Sequence, residues 1–175
     1  RSGASVTLID RNEPGSATSY GNAGILASAS VIPVPTPGIL KKVPGMLLNP
    51  NKALFLKWSQ LPRLLPFFYK YVLNSNSDSV FKISNALSYI LYDTVEQHLE
   101  ISKGTNAENY ITTNDLIFGY SDKIAFENDG YSWDLKWKHG HKFSSLSRDD
   151  LAKYDKNLKN KFGFAVKCMN HGTCL

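Results

Sequence analysis

The sequence has only two cysteines, Cys168 and Cys174, in 175 residues. That is too few for a disulfide framework. No uncharged apolar run is long enough to cross a bilayer, and no segment has the parts of a signal peptide. Neither sign of charge dominates. Twenty Lys and Arg against fifteen Asp and Glu leave +5, spread along the chain, which permits an anionic partner without requiring one. Internal repeats and low-complexity tracts are absent. The glycines include no G-x-G pair, so the phosphate-turn signature of dinucleotide folds is missing. What remains is 42% hydrophobic and 20% charged. This excludes a disordered tail, a collagen-like repeat and a polytopic membrane protein. The composition reads as soluble and globular, and it names no function.

The ends read as those of an internal piece of a longer chain. Val6-Thr7-Leu8-Ile9-Asp10 has the pattern of a buried parallel strand. Such a strand needs a parallel neighbour and a crossover helix, and Arg1 to Ser5 supplies neither. The other end, Asn170-His171-Gly172-Thr173-Cys174-Leu175, follows an apolar run without a terminal element.

Between the ends, residues 11–24 read as a polar, glycine-containing loop. Residues 25–32 read as extended or loop, and Pro33, Pro35 and Pro37 exclude a helix there. A short helix is predicted over 38–48. Residues 53–73 have helical spacing, interrupted by Pro62 and Pro66. The clearest helix is predicted over 78–103, with Val80, Ile83, Leu87, Ile90, Leu91, Val95 and Leu99 on one stripe and Gly104 as its stop. A hairpin is predicted over 110–113 and 116–120, turning at Asn114-Asp115. Residues 122–139 read as one helix, 142–146 as a strand and 162–168 as another. Ser147-Arg148-Asp149-Asp150 before Leu151 is a helix-capping pattern.

The chemistry-bearing residues lie in Val6 to Gly24. An acidic residue at the carboxyl end of a parallel strand is where dinucleotide folds hold a ribose hydroxyl, about 20 residues after the phosphate turn. Asp10 stands at such a place, although Asp also commonly does no more than end a strand. Gly21, Ala23 and Gly24 would let a flat ligand approach the backbone. Thr18, Ser19 and Asn22 offer hydrogen-bonding groups suited to phosphate or ribityl oxygens. The same composition describes an ordinary polar turn.

Taken together, Val6-Thr7-Leu8-Ile9-Asp10-Arg11, the Pro14-Gly15 turn and Thr18-Ser19-Tyr20-Gly21-Asn22-Ala23-Gly24 resemble the FAD-dependent oxidoreductases of the D-amino-acid oxidase superfamily. The likeness is to the D-amino-acid dehydrogenase branch. Asp10 stands where that family often has Glu, and Gly21 where it often has Ala. Residues 50–165 follow the branch by order of elements rather than by signature. The resemblance implies that Asp10, Arg11, Thr18, Ser19, Asn22, Ala23 and Gly24 bind FAD. The implied fold is α/β, with residues 1–32 as part of a Rossmann-like FAD-binding domain. Residues 33–175 then form a mainly helical part of an α+β substrate domain. The implied reaction is oxidation of a D-amino acid or similar amine by hydride transfer to FAD, giving an imine and then a 2-oxo acid. This stretch alone is expected to be inactive. A glycine- or sarcosine-oxidase-like flavoenzyme is the alternative within enzymes.

The remaining candidates are weighed residue by residue. His171, beside Gly172, could face a flavin or bind a substrate carboxylate, or be an exposed loop histidine. Cys168, His171 and Cys174 offer three ligands in a tight loop with no fourth nearby, so no metal site is expected. Lys57, Arg63 and Lys70 lie among Trp58, Phe67, Phe68, Tyr69 and Tyr71. This segment reads either as a packed helix with snorkelling lysines or as a surface for peripheral membrane contact. The second reading suits electron transfer to a respiratory-chain acceptor. Its basic residues are too sparse for nucleic acid. The expected setting is cytoplasmic, or peripheral on the inner face of the cytoplasmic membrane. The competing class is a non-enzymatic, basic and aromatic interaction module.

Overall fold

The computed structural model describes residues 3–18, 20–39 and 57–175. These residues form a mixture of helices and one antiparallel sheet. In chain order the elements are β1 (Ile25–Leu26), α1 (Leu61–Leu73), α2 (Ser77–Leu91), α3 (Thr94–Ser102), β2 (Ile111–Tyr120), α4 (Lys123–Glu127), α5 (Gly130–Lys138), β3 (Phe143–Leu146), α6 (Arg148–Tyr154), α7 (Leu158–Lys161) and β4 (Phe164–Cys174). Short 3-10 turns precede α1 and β2. The short helix predicted over 38–48 falls almost wholly outside the described residues.

β4 is the central strand. One edge pairs along its length with β2, from Tyr120↔Phe164 to Ile111↔Cys174. The other edge is shared. β3 pairs with Ala165 to Cys168, and β1 pairs with Gly172 and Thr173. The two faces of the sheet bury different sets. On one, Trp133 of α5, Ala29, Val166 and Cys168 form a core, with Phe118, Tyr120, Phe126, Phe143 and Phe164 against it. On the other, Leu146, Leu151 and Ala165 pack with Ile117, Leu158 and Phe162. Val166 and Ala165 therefore go to opposite cores, as the two-residue period of a strand requires.

Helix starts follow local chemistry. Asn76 caps α2 by accepting from the Ser79 N–H at 2.9 Å. Asp122 caps α4 by accepting from the Ala125 N–H at 2.8 Å. At α6, Ser147 and Asp150 cap each other reciprocally, as their spacing predicts. Pro62 sits in the first turn of α1, where its missing N–H costs nothing, and Pro66 lies inside the helix.

Five sequence expectations change. Residues 6–10 form no strand. Val6, Leu8 and Ile9 are more than 80% exposed, and no described strand pairs with them. A parallel strand exists only through its neighbours, and the described sheet contains antiparallel pairs alone. The predicted hairpin is one continuous strand, β2, with a register shift between Asn114 and Leu116. Tight hairpin turns need positive φ, and Asn-Asp lacks the glycine that supplies it. The helix predicted over 78–103 divides at Tyr92-Asp93, where Asp93 begins α3 in non-helical backbone. The helix predicted over 122–139 divides at Asn128-Asp129-Gly130, a turn-forming triplet. The last strand runs past residue 168 to Cys174, because β1 and β2 supply partners on both edges.

Candidate functional site

Residues 3–18 and 20–24 are irregular and mostly exposed. Among them, the Asn12 N–H donates to Asp10 Oδ1 at 3.2 Å. That turn leaves the second carboxylate oxygen of Asp10 as an acceptor toward solvent. Arg11, Thr18 and Ala23 are exposed, and Ser19 lies outside the described residues. Gly21 has φ +71 and open space around it. The Gly24 N–H donates to Asn22 Oδ1 at 2.7 Å, which leaves the Asn22 amide NH₂ as a donor. Asp10, Thr18 and Asn22 offer a carboxylate acceptor, a hydroxyl and an amide donor along this stretch. They fit a ligand with ribose hydroxyls and phosphates, and FAD has both.

The end of this loop is fixed to the sheet. Gly24 has φ +64, and its backbone lies against Cys174. The Cys174 N–H donates to the Gly24 carbonyl at 2.7 Å. Ile25 and Leu26 then pair with Thr173 and Gly172. Gly172 sits in a tight place. A Cβ there would stand 3.1 Å from the Thr112 carbonyl oxygen and 3.1 Å from Val95 Cγ1. Beyond the strand, the buried Ser28 hydroxyl donates to the Asn170 carbonyl at 2.7 Å. Residues far apart in the sequence thus share one strand pairing.

β4 bulges at this point. Leu116 pairs with Cys168 and Asn114 with His171, so β4 has one more residue than β2 between the two pairs. Asn170, at φ +62, is the one non-glycine residue with positive φ among those described. The bulge returns His171 to the face that carries Cys168. His171 is 1% exposed, not an exposed loop residue.

The two His171 ring nitrogens differ in their surroundings. Nδ1 lies 3.2 Å from the Met169 carbonyl oxygen. A carbonyl only accepts, so Nδ1 carries the proton in the neutral ring. Nε2 is then a lone-pair acceptor, and it is buried with no hydrogen-bond partner. Burial holds the His171 pKa below the ordinary histidine value.

Around it lie other titratable groups, with Lys136 acting to lower its pKa and Asp115 to raise it. His141, also buried, is held down to about 4, mainly by burial and further by His171, His139 and Lys136. Lys136 is 8% exposed and makes no ion pair among the described residues. Its ammonium lies 4.0 Å from the Trp133 ring centre and 4.4 Å from that of Phe118. Burial lowers its pKa, and the rings offset part of that cost through cation–π attraction. Burial pushes the Cys168 thiol up. Among the described residues, no group of three or more His, Cys, Asp or Glu could hold a metal ion.

The structure therefore joins Asn22 and Gly24 to the β4 segment that carries His171. It leaves Asp10, Arg11 and Thr18 on the exposed stretch before them. Two cavities open elsewhere. One of about 340 Å³ is lined by Arg148, Asp149, Lys159 and Asn160. One of about 280 Å³ is lined by Ser88, Tyr89, Tyr92, Asp93 and His139. Neither is lined by a residue that the sequence singled out as a site residue. Ser28, Lys136, His141 and Asn170 were not legible as site residues. For Asn170 a signal existed, since Asn adopts left-handed backbone more readily than most residues.

Comparison with known proteins gives two informative likenesses. The chain is 37% identical over 177 aligned residues to a D-amino-acid oxidase of Bradyrhizobium diazoefficiens, covering 99% of this chain and 42% of that protein. It is 42% identical over 77 residues to D-amino acid dehydrogenase 2 of Ralstonia nicotianae, covering 43% of this chain and 18% of that protein. The chain thus spans less than half the length of these relatives. No family model matches it, and no solved structure does.

Proposed function

We propose that the chain is part of an FAD-dependent enzyme of the D-amino-acid oxidase superfamily, in its D-amino-acid dehydrogenase branch, that oxidises D-amino acids. The observation that carries the reading is the likeness to a D-amino-acid oxidase along 99% of the chain. In this reading residues 1–32 contribute to a Rossmann-like FAD-binding domain and residues 33–175 to the substrate domain, with β1 as the seam.

Asp10 accepts hydrogen bonds from the adenosine ribose, and Arg11 lies beside the adenine. Thr18, Ser19 and the Asn22 amide donate to the pyrophosphate and ribityl oxygens. Ala23 and Gly24 keep side-chain bulk away from the cofactor. A bound flavin would supply the redox chemistry as hydride acceptor for the substrate α-carbon, and hydrolysis of the resulting imine would release ammonia and leave a 2-oxo acid. The protein's part is position and electrostatics.

A second reading concerns the electron acceptor. From Lys57 to Ser77 the sequence has Lys57, Arg63 and Lys70 and no acidic residue. α1 buries none of its residues, and Trp58, Leu65, Phe67 and Tyr69 are more than half exposed. No described helix is long and apolar enough to cross a membrane. This segment suits peripheral contact with an anionic lipid surface, where a membrane-borne electron acceptor could be met.

The test is to purify the full-length protein, record its absorbance and assay D- and L-amino acids with an artificial electron acceptor. A flavin spectrum, D-selective dye reduction and matching 2-oxo acid are expected. A protein that takes up no FAD, or that reduces dye with L-amino acids alone, would overturn the proposal. Co-sedimentation with anionic against neutral vesicles tests the second reading. Equal or absent binding to both would end it.

A further inference from the structure

We infer that Asn170 is a positioning residue for the flavin site: its left-handed bulge sets how β4 meets the strand that ends the cofactor loop. The inference rests on the FAD reading above and adds to it a residue outside the loop. The bulge falls where the edge of β4 passes from one partner to the next. β3 pairs up to Cys168, and β1 begins at Gly172. At the junction the Asn170 carbonyl accepts the Ser28 hydroxyl at 2.7 Å, across 142 positions of sequence.

The physical reason is register. A strand that loses one residue of offset turns every following side chain to the other face. Without the extra residue, His171 would leave the Cys168 face. The bulky His171 side chain would then be brought to the tight place beside Thr112, Val95 and Leu26 that Gly172 now occupies. Thr173 and Cys174 would shift with it, and these are the partners of Ile25 and Gly24. Gly24 is tied back to Asn22 through its own N–H. The bulge therefore transmits to the loop residues proposed to lie along the flavin. Its requirement falls on the backbone of residue 170. The side chain is exposed and makes none of these contacts.

The test uses the full-length protein with Asn170→Gly, Asn170→Val and Ser28→Ala. Glycine enters left-handed backbone freely, whereas a β-branched residue resists it. FAD affinity is read by titrating the FAD-free protein and following flavin fluorescence. The environment of His171 is read from its ring resonances by NMR. The glycine variant is expected to match the parent in both readouts. The valine variant is expected to weaken FAD binding about tenfold or more and to move the His171 resonances. Ser28→Ala, which removes only the hydroxyl, is expected to weaken FAD binding roughly two- to tenfold. It also stands in as the test if the valine variant does not fold. A parent protein that binds no FAD would overturn the flavin reading itself. If the parent binds FAD and the valine variant, or Ser28→Ala in its place, binds equally well, the positioning role alone falls. It falls also if the glycine variant loses as much affinity as the valine variant.

Discussion

Gly24 and Cys174 lie backbone against backbone, and the Cys174 carbonyl oxygen fills the place where a Cβ on Gly24 would stand. The same pair is closed by the Cys174 N–H donating to the Gly24 carbonyl at 2.7 Å. A glycine that reads in the sequence as room for a ligand is, in the structure, also room for β4.

Gly24→Ala should therefore lower stability by about 2–3 kcal/mol, combining left-handed strain with overlap on Cys174. Gly21→Ala is the control. Its φ is similar, but its surroundings are open, so about 1–2 kcal/mol is expected from strain alone. Urea unfolding of both variants checks this. Equal losses would mean that the Cys174 contact contributes nothing.

Tyr120 links a strand to a helix. Its hydroxyl donates to Asp129 Oδ2 at 2.8 Å and accepts from Trp133 Nε1 at 2.7 Å. Burial is the main cause that pushes its pKa up to about 12. Tyr120→Phe leaves the buried Trp133 N–H without its acceptor and should cost about 1–3 kcal/mol. Once Trp133 is Phe, the same substitution should cost less, because the orphaned donor is gone. A double-mutant cycle measures the difference. Additive losses would argue against the link.

Stability should fall in mild acid. Folded His141 is held down to about 4, against about 6.5 in an unfolded chain. Between those values the unfolded chain binds a proton that the folded chain does not, so stability drops as pH falls from about 6.5 toward 4. At about 1.4 kcal/mol per pKa unit, the full effect of His141 is about 3 kcal/mol. His171 is shifted in the same direction and adds to the loss. Asp150 acts lower. Its carboxylate is held well below the usual range by Lys153 and Ser147, so its contribution is lost only under still more acid conditions. Urea midpoints from pH 7 to pH 4 should show the slope, and His141→Gln should flatten it. An unchanged slope in that variant would refute the assignment.

Ser147→Ala should destabilise the chain by about 1 kcal/mol, through loss of a helix cap. The Ser147 side chain bonds the Asp150 N–H at 3.2 Å and the Asp150 carboxylate at 2.7 Å. Ser147→Asp should recover part of the loss by capping the same N–H. Thermal melts of the two variants would decide, and equal melting temperatures would deny the cap any role.

Ser147 also marks what local sequence can specify. Its cap needs only four neighbouring residues, and the predicted pattern is present as read. The strand at 143–146 and the helical character of 61–73 and 77–91 depend on side-chain spacing within a short stretch, and they too were legible. The family likeness was legible in residues 6–24 for the same reason, as a contiguous motif. Residues 6–10 show the limit. Their composition is that of a strand, but a strand is completed by partners, and no described strand pairs with them.

What the sequence alone determined was therefore local: caps, helical stripes, apolar runs and a contiguous family likeness. Only the tertiary structure decided that β2 runs straight through Asn114-Asp115, that β4 continues to Cys174, and that His171 is buried with a free acceptor nitrogen. It alone brought Ser28 to Asn170 and Gly24 to Cys174. These outcomes rest on hydrogen bonds and contacts between residues far apart in the chain. Such pairings are set by the register of whole strands, which no short window of sequence contains.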